Sequence, residues 1–554
     1  MFAVATADAL VTPSATVITA RPSTSCAALC ARGKARHGMS RHSSPLPLKR
    51  KATTGPTYTF APLTPQFSDA SAVCIGTGRF LRAVLVPALH ELGCGVVLAQ
   101  TRGTSFCAHM AECTEYEVDT VATDGSVQTT RLPVAACGSL GLAEGRAAFL
   151  ALPATLKHLR YIGLGLTEAG LVANNASISD LAELLHACSV QSSNHFISVI
   201  NTDNVPFNGD LVRSLVRTCD VAQGYGTAFG AFLERRVVFH NSMVDRITSH
   251  RVGDADVPRA EPLPEKALVI EDLGGVLPEV LGAVRGVVVR TAVGRLGVDI
   301  ALKLRIANAT HSAMALPMAL GRRFTTEQCA AAGSPVLPYL EQLFERDIVG
   351  GLTTELGVGR PAVEAVFAEW VSRLRHAHFG LDCFFIAQNA TQKVGLRLMP
   401  SASEAPSPFL AFALAATLRF LTPVGDQPRI AETPPVFCGR LDDAADGDPP
   451  PPPDWKPTPA LRVRPADGIY EFSDGDGAVP LLLRPLARPG AASDDFTAIA
   501  SEALSRVDGC DPAGKPSHAA LVGRAAEYYE RMLGERALDV LASLLPEARG
   551  LRVM

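Results

Sequence analysis

The chain has 554 residues, which is too many for one hydrophobic core, so two or three domains are expected. Its 47% hydrophobic and 19% charged residues are typical of a globular protein. The net charge is −4 although the first 56 residues are basic, so the remaining body is acidic and should bind neither nucleic acid nor an anionic membrane. No apolar run reaches the roughly 18 residues that a membrane-spanning helix needs.

The N-terminal segment differs from the rest of the chain in composition. Residues 1–56 contain one acid, Asp8, together with many Arg, Lys, Ser, Thr and Ala residues. This composition predicts that residues 1–60 are a disordered transit peptide, which directs the protein to a plastid or a mitochondrion. The alternatives are a disordered basic tail on a cytoplasmic protein and a start codon placed too far upstream.

The cysteines are scattered and give no metal-binding pattern. The chain has 13 of them, and the one close pair, Cys26 and Cys30, lies in the predicted transit peptide. Neither paired CxxC motifs nor HExxH occurs, so a zinc site is not expected. We therefore expect reduced thiols and a protein that works without a metal.

A strand, a glycine turn, a helix and a second strand follow one another from Ser71, as SAVCI, GTGRF, LRAVLVPALHELG and CGVVLAQ. This order predicts the first unit of a dinucleotide-binding domain, in which Gly76 and Gly78 let a cofactor pyrophosphate approach the backbone. The predicted cofactor-binding turn runs from Gly76 through Gly78, Arg79 and Phe80. Leu81 stands where the complete fingerprint has a third glycine.

The cofactor can be NAD or NADP. The second strand ends at Gln100 without the acid that would hold a ribose 2′-hydroxyl, and Arg102 follows two residues later. Arg102 is a candidate for binding a 2′-phosphate, which would favour NADP. An arginine that lies on the surface or stacks on the adenine is an equally good interpretation.

Three further apolar runs, YIGLGL at 161, HFISVI at 195 and RRVVFH at 235, predict more strands of a doubly wound sheet. Two polar clusters follow such runs, at the strand ends where ligands gather in this fold. Taken alone, such a cluster is more often a turn and a salt bridge than an active site. Their polar residues are Asp203, Asn204 and Asn208 in NTDNVPFNG, and Asp245 and Arg246 in NSMVDRIT.

Beyond Pro262 the patterns become mostly helical. The predicted fold is α/β, with an N-terminal Rossmann-like doubly wound domain over 61–262 and a mostly α-helical C-terminal domain over 263–440. The segment 441–466 contains five consecutive prolines and is predicted to be a stiff linker or loop. Residues 467–554 are predicted to be a helical extension of the second domain.

The helical segment ALKLRIANATHS, residues 301–312, carries Lys303, Asn308 and His311. At about 100° per residue, Asn308 lies about 140° and His311 about 80° from Lys303, so one ligand could contact all three. Partial burial would lower the pKa of the lysine and make it a candidate general base. The alternative is a solvated surface lysine and a histidine that packs in the core.

Taken in order, these motifs resemble the long-chain polyol dehydrogenases, the family of mannitol dehydrogenase and the fructuronate and tagaturonate reductases. The resemblance covers about residues 70–425, and KLRIANATHS is similar to the family motif K-x-R-x-x-N-x-x-H. Supporting segments are GTGRFLRA, LTEAG at 166, TDNVPFNG, MVDRIT and NATQKVGLRLMP.

The resemblance implies a role for each matching residue. Lys303 would be the general base, and the amides of Asn204 and Asn308 would hydrogen-bond the reacting oxygen. His311 would bind substrate hydroxyls, and Asp203 and Asp245 would lie beside the cofactor. Lys393 is a candidate substrate contact or an ordinary surface lysine.

Two positions depart from the family pattern. Ile300 stands where polyol-oxidising members tend to have an acid, although Asp299 is adjacent. Phe385 stands where they tend to have an arginine, which removes a contact to a sugar hydroxyl or carboxylate.

The expected activity is a metal-independent, NAD(P)-dependent interconversion of a ketose and its polyol, as in a mannitol 2-dehydrogenase. The alternatives are a hexuronate reductase of the tagaturonate or fructuronate type and a non-catalytic cofactor-binding protein with the same fold. The expected partner is a small sugar or polyol, and the protein should be a monomer or a weak homo-oligomer.

Overall fold

The structure, a computed structural model, describes residues 58–545 except for 167–169, 192–194, 252, 426–428, 430–431, 433, 453–454, 456–461 and 488–492. The predicted transit peptide lies outside the described residues up to position 57, so it stays a prediction. Within the described ranges, no helix combines the length and the apolar character needed to cross a membrane.

The strands are as follows in chain order. They are β1 Thr59–Pro62, β2 Ala72–Ile75, β3 Val96–Gln100, β4 Glu115–Val121, β5 Val127–Pro133, β6 Ala136–Ser139, β7 Tyr161–Leu164, β8 Ile197–Asn201, β9 Val237–His240, β10 Ser242–Val244, β11 Thr248–Arg251, β12 Asp254–Ala260, β13 Leu268–Glu271, β14 Val287–Arg290, β15 Phe437–Arg440, β16 Val463–Arg464 and β17 Ile469–Phe472.

A seven-stranded sheet in the order β1-β6-β3-β2-β7-β8-β9 forms the centre of the N-terminal part. All neighbouring strands in it are parallel except β1, which is antiparallel to β6. Strands β2, β3, β7 and β8 are buried along their whole length. Helices cover both faces of such a sheet, which explains why these strands are nearly continuous apolar runs. The predicted doubly wound arrangement is confirmed.

Two smaller sheets were not predicted from the sequence. One has the order β11-β12-β4-β5 and the other the order β10-β13-β14. In β5 every residue except Leu132 is exposed, so the strand shows no apolar alternation. Its pairing with β4 is fixed by backbone hydrogen bonds along the whole hairpin rather than by a side-chain pattern.

The α-helices are listed in the same way. They are α1 Val86–Glu91, α2 Ser105–Glu112, α3 Ala143–Thr155, α4 Ala176–Val190, α5 Asn208–Thr218, α6 Asp220–Gln223, α7 Gly226–Arg236, α8 Arg295–Lys303, α9 Ala309–Leu320, α10 Val336–Leu343, α11 Val349–Leu356, α12 Arg360–Leu374, α13 Cys383–Ala387, α14 Ala390–Arg397, α15 Pro408–Phe420, α16 Ala478–Leu483, α17 Ser493–Leu504, α18 Pro516–Gly534 and α19 Ala537–Leu544. Five-residue π-helical turns precede α1, α9 and α11.

The long helices begin later in the chain than the mostly helical pattern after Pro262 predicts. After Pro262 the chain still forms β13 and β14, which are parallel to each other. Their residues Leu268, Ile270 and Val287 belong to the same apolar cluster as β2 and β3. Residues 263–290 therefore pack with the Rossmann-like part, and helical structure takes over at Arg295. The exact domain boundaries stay a prediction.

The C-terminal part is built around two buried helices. In α9 and in α15 nearly every side chain is buried, which is expected for helices that are apolar on all sides. Helices α17, α18 and α19 contribute to the same core, in which Tyr529 is fully buried. These three helices therefore pack into the helical core of the C-terminal part.

The proline-rich segment is attached to this core at both ends. Before the prolines, the Asp448 carboxylate pairs with Arg323 at 3.1 Å and with Arg536 at 2.6 Å. After them, the Trp455 ring lies 4.8 Å from the ring of Phe324. The flanking strands form a small sheet in the order β15-β17-β16. Pro450 and Pro451 are exposed between these anchors, so these two described prolines lie on the surface.

Candidate active site

A cleft of 490 Å³ opens at the carboxyl ends of β2, β3 and β7. Ligands of doubly wound sheets bind at this edge. Three loops form its walls, and the lining residues are Ile75, Gly76, Thr77, Gly78, Gln100, Thr101, Arg102, Gly165, Leu166, Gly170, Asn175 and Ser177. The predicted glycine turn therefore lies where a dinucleotide cofactor would bind.

The backbone of this turn fits the pyrophosphate of such a cofactor. Gly76 has a φ of +112°, a conformation that side chains rarely allow. A Cβ atom on Gly78 would meet no other atom within 4 Å, so the space in front of it is open. Backbone and ligand can thus approach closely at both glycines.

Arg79 and Phe80 do not line the cleft. Phe80 packs against the apolar cluster beneath β2 and β3, and burial lowers the pKa of Arg79. Both residues belong to the start of the helix behind the turn. A direct contact between either side chain and a cofactor stays a prediction.

At the end of β3 the cleft is uncharged apart from one arginine. Gln100 accepts a hydrogen bond from the Cys107 backbone N–H (3.0 Å) and donates one to the Arg102 carbonyl (2.9 Å). Arg102 itself is exposed at the rim. This arrangement fixes the position of the arginine backbone and leaves its guanidinium accessible to a ligand.

Lys303, the last residue of α8, lies where two strand ends meet this helix. Its Nζ donates hydrogen bonds to Asn204 Oδ1 (3.1 Å) and to the Val244 carbonyl, and it lies 3.6 Å from Asp245 Oδ1. The lysine side chain is only 10% exposed. Asn204 follows β8 and Asp245 follows β10, so the two polar clusters singled out in the sequence converge on one amine.

The helix at Lys303 is not regular, which corrects the predicted angles of 140° and 80°. Residues Leu304–Asn308 form a π-helical turn between α8 and α9. Such a turn contains one extra residue, so spacings of five and eight act as spacings of four and seven. Asn308 and His311 then lie within about 40° of Lys303 along the helix. The turn aligns the three side chains better than a regular helix would.

Burial and three charges act on Lys303. Burial lowers its pKa, and Arg373 lowers it further, whereas Asp245 and Asp203 oppose this effect. Asp203 lies two residues after the end of β8, so its carboxylate acts on the amine from the same strand end as Asn204. The net pKa is below the ordinary value for lysine.

Asp245 is held by two cations. Burial raises its pKa, but the charges of Lys303 and Arg373 outweigh burial and lower the pKa to about 2. Arg373, on α12, forms a bidentate pair with this carboxylate at 2.9 and 3.1 Å. It also contacts both oxygens of Glu261, at 3.0 and 2.6 Å. Arg373 could not be recognised from the sequence, because it lies in a helix far from every motif.

His311 is a neutral imidazole in this site. Burial lowers its pKa to about 3, and the positive charges of Arg397, Lys393 and Arg373 act in the same direction. Its ring packs edge-on against Trp370, with centroids 5.3 Å apart. The Nε2 atom is buried and has no hydrogen-bond partner among the described residues. A buried polar atom without a partner is costly in free energy, so His311 is suited to binding a ligand hydroxyl.

Three comparisons relate these features to known proteins. Residues 70–272 match the family model described as the mannitol dehydrogenase Rossmann domain. This part of the chain is therefore similar to the Rossmann domain of that family. Among curated proteins no match to the sequence was found.

Solved structures share the fold over nearly the whole chain. D-sorbitol dehydrogenase in its substrate-free form is 16% identical with a TM-score of 0.61, and the alignment covers 89% of this chain and 98% of that one. Mannitol 2-dehydrogenase from Pseudomonas fluorescens, in a ternary complex with NAD and D-mannitol, is 15% identical with a TM-score of 0.61, and covers 88% and 97%. At these identities the likeness establishes the fold alone.

The candidate cofactor cleft and the Lys303 site are connected at the strand edge. The Leu166 N–H, in the cleft wall, donates to Asn201 Oδ1 at 3.2 Å. Asn201 ends β8, three residues before Asn204, which contacts Lys303. The candidate cofactor cleft and the buried amine therefore share one continuous edge of the sheet.

Other positions singled out in the sequence lie around this site. The side chain of Asn308 makes no hydrogen bond to another described residue, so it is available to a ligand. Lys393 donates to the Ile386 carbonyl at 2.8 Å, and its charge acts on His311. Phe385 is 54% exposed, so the position where the family tends to have an arginine presents an apolar ring to solvent.

Asp299 does not replace the acid that is missing at Ile300. Its carboxylate is buried and pairs with Lys266 at 2.9 Å and with Arg290 at 2.7 Å. Both contacts tie α8 to the β10-β13-β14 sheet. Asp299 therefore holds the helix that carries Lys303 in place.

The described cysteines are free thiols. Among the described residues, no group of His, Cys, Asp and Glu side chains is arranged to hold a metal ion.

Asn208 and Arg246 stabilise the local fold: Asn208 donates a hydrogen bond to the Ser242 carbonyl, and Arg246 donates to the backbone carbonyls of Glu261 and Ala83. Part of each polar cluster thus builds turns and part lies in the site.

Proposed function

We propose that the protein is an NAD(P)-dependent dehydrogenase that interconverts a polyol and its ketose, with Lys303 as the general base. One observation carries this proposal: a buried lysine with a lowered pKa donates hydrogen bonds to Asn204 Oδ1 and to the Val244 carbonyl. A neutral amine has two N–H groups and one lone pair. Those two bonds use both N–H groups and leave the lone pair for a substrate hydroxyl.

The amides next to the lysine would stabilise the reacting oxygen. Asn204 Oδ1 accepts from both the Val244 N–H and Lys303. Its Nδ2 group, like the amide of Asn308, donates to no other described residue and is available to the substrate oxygen. When the hydroxyl proton moves to Lys303, these donors stabilise the developing alkoxide. Bound NAD(P) supplies the hydride acceptor in alcohol oxidation. Asp245 then stabilises the Lys303 ammonium, and the same proton returns to oxygen in ketone reduction.

A second candidate is a hexuronate reductase of the tagaturonate or fructuronate type. It is favoured by Lys393 and Arg397 on α14, whose positive charges both act on His311. Cations on this side of the site suit a substrate with a carboxylate. A purely cofactor-binding role is disfavoured, because it does not require a desolvated lysine.

The proposal is tested by an absorbance screen at 340 nm with purified protein. NADH and NADPH should be offered with fructose, fructuronate, tagaturonate and fructose 6-phosphate. Oxidation of the nucleotide with fructose supports the polyol dehydrogenase, and oxidation with a uronate alone supports the second candidate. Nucleotide binding without turnover on any sugar would favour the cofactor-binding protein.

Asn308→Ala is expected to lower turnover by about tenfold to a hundredfold without moving the pH profile. An amide donor stabilises oxyanion charge but does not titrate. Steady-state kcat measured between pH 6 and 10 tests this prediction. A profile displaced along the pH axis would show that Asn308 acts through Lys303 instead.

Arg102→Ala is expected to weaken NADPH binding several-fold more than NADH binding. Only NADPH carries the 2′-phosphate that an arginine at the end of β3 could pair with. Calorimetric Kd values for both nucleotides test this, with the exposed Arg131 replaced as the control. Equal losses for the two nucleotides would mean that Arg102 stacks on the adenine, and no loss would mean that it does not contact the cofactor.

We further propose a monomer or weak homo-oligomer that is imported into a plastid or mitochondrion.

A further inference from the structure

Arg373 is the most constrained cation near the candidate base. Its guanidinium spans two carboxylates, with Asp245 on one edge and Glu261 on the other. It lies 5.3 Å from the Trp370 ring centroid, and its side chain is only 12% exposed. A bidentate, stacked and buried arginine has one available geometry, which a lysine cannot reproduce.

Asp245 is shared between this arginine and the candidate base. Its Oδ1 atom lies 3.1 Å from Arg373 Nη2 and 3.6 Å from Lys303 Nζ. The shorter and better aligned contacts are those to Arg373. The carboxylate is therefore paired mainly with Arg373, and it stabilises a Lys303 ammonium less than an unpaired carboxylate would.

The other charges around Lys303 do not compensate for this arrangement. Asp203 acts on the amine from the end of β8, and Asp245 acts from the end of β10. Arg373 opposes both from α12. Glu369, one helical turn before Arg373, acts on Asp245 and Arg373, and burial raises its pKa. Arg373 therefore both repels the Lys303 ammonium and pairs with Asp245, the counterion of that ammonium.

We infer that Arg373 is a positioning residue that keeps Lys303 in the neutral form needed for alcohol oxidation, by holding Asp245 in a bidentate pair and by adding positive charge beside the amine. This inference rests on the proposed function only in assigning a proton transfer to Lys303. The effect of Arg373 on the amine is a property of the folded protein and can be measured without turnover.

Arg373→Gln is expected to raise the pH at which Lys303 titrates by about one unit, because the ammonium gains Asp245 and loses a like charge. The variant leaves Glu261 buried without its partner, which is destabilising. The double variant Arg373→Gln with Glu261→Gln removes both charges and avoids this cost. Arg373→Lys keeps the positive charge but cannot form hydrogen bonds to both carboxylates at once. It should therefore raise the pH at which Lys303 titrates by about half as much.

The experiment is competitive labelling of lysines with acetic anhydride from pH 6 to 11, read by mass spectrometry. The reactivity of Lys303 reports its neutral fraction, and the exposed Lys157 is an internal standard. Arg375→Gln is the matched control, because Arg375 lies two residues away, is largely exposed and has only a 3.9 Å contact to Glu341. Circular dichroism identifies the variants that fold.

In any folded variant of Arg373, a Lys303 midpoint equal to that of the wild type would overturn the inference. This includes Arg373→Lys alone if neither glutamine variant folds. Where the enzyme turns over, the kcat profile should move by the same amount, whereas a purely structural role would lower kcat at every pH without displacement. A displaced midpoint in a protein that reduces no sugar would retain the inference and reject only the proposed reaction.

Discussion

Replacing Lys303 with alanine is expected to lower turnover by about 10² to 10⁴, the usual contribution of a general acid or base. The amine is buried, and its hydrogen bonds leave one lone pair for a substrate proton. NADH affinity should change little, because Lys303 is not among the residues that line the cofactor cleft. Steady-state kinetics and nucleotide titration on the same preparation test both statements.

The oxidation and reduction rates of the wild type should depend on pH in opposite directions. Oxidation needs neutral Lys303, so its rate should rise with pH through the ionisation of a lysine whose pKa is lowered by burial. Reduction needs the ammonium and should fall over the same range. In the alanine variant this ionisation should vanish from both profiles, and a small primary amine in the buffer should restore part of the rate.

Lys157→Ala is the control, since that lysine is exposed and lies away from the cleft. It should leave both profiles unchanged. Near wild-type turnover by the Lys303→Ala variant on the best substrate would refute the mechanism.

Gly78→Val is expected to weaken cofactor binding by more than about 2 kcal/mol, or roughly thirtyfold in Kd. The valine side chain would occupy the open space in front of the turn, where the pyrophosphate should lie. Apart from Gly78 and its two chain neighbours, no atom of the described residues lies within 4 Å of the new Cβ, so folding should be nearly unaffected. Calorimetric titration with NADH and a thermal melt separate the two effects.

Gly230→Val provides a comparison, because Gly230 also has open space around it but lies in α7, outside the cleft. That variant should bind NADH like the wild type. Equal affinities of the Gly78→Val variant and the wild type would place the cofactor elsewhere.

Features with a strong local pattern could be predicted from the sequence. Strands β2, β3, β7 and β8 are buried on both faces, so each is an apolar run that the local sequence alone predicts as a strand. The glycine turn follows from the φ that Gly76 must adopt. Polar strands such as β5 could not be predicted, because their stability comes from partners distant in sequence.

The candidate site was only partly predictable for a related reason. Lys303, Asn204 and Asp245 each end or follow a recognisable element, so parallel strand ends meeting a helix bring them together. Arg373 enters from a helix whose sequence shows nothing unusual, and only the fold places it on Asp245. Asn175 and Ser177 of the cleft were likewise missed, since an N-cap motif explains both locally.

The π-helical turn at Leu304–Asn308 has a consequence for how this protein can tolerate insertions and deletions. A single π-helical turn inside an α-helix is rare. Here contacts from outside the helix support it, because buried Arg305 donates to the Pro400 carbonyl at 2.9 Å and pairs with Glu355. Loss of one residue between Lys303 and Asn308 could be absorbed by a regular helix without unfolding the core. Such a chain would keep Lys303, Asn308 and His311 on the same face with a spacing one residue shorter. Homologous sequences that differ by a single-residue gap here can therefore share the same site geometry. A sequence alignment that penalises this gap would score such proteins as less related than their structures are.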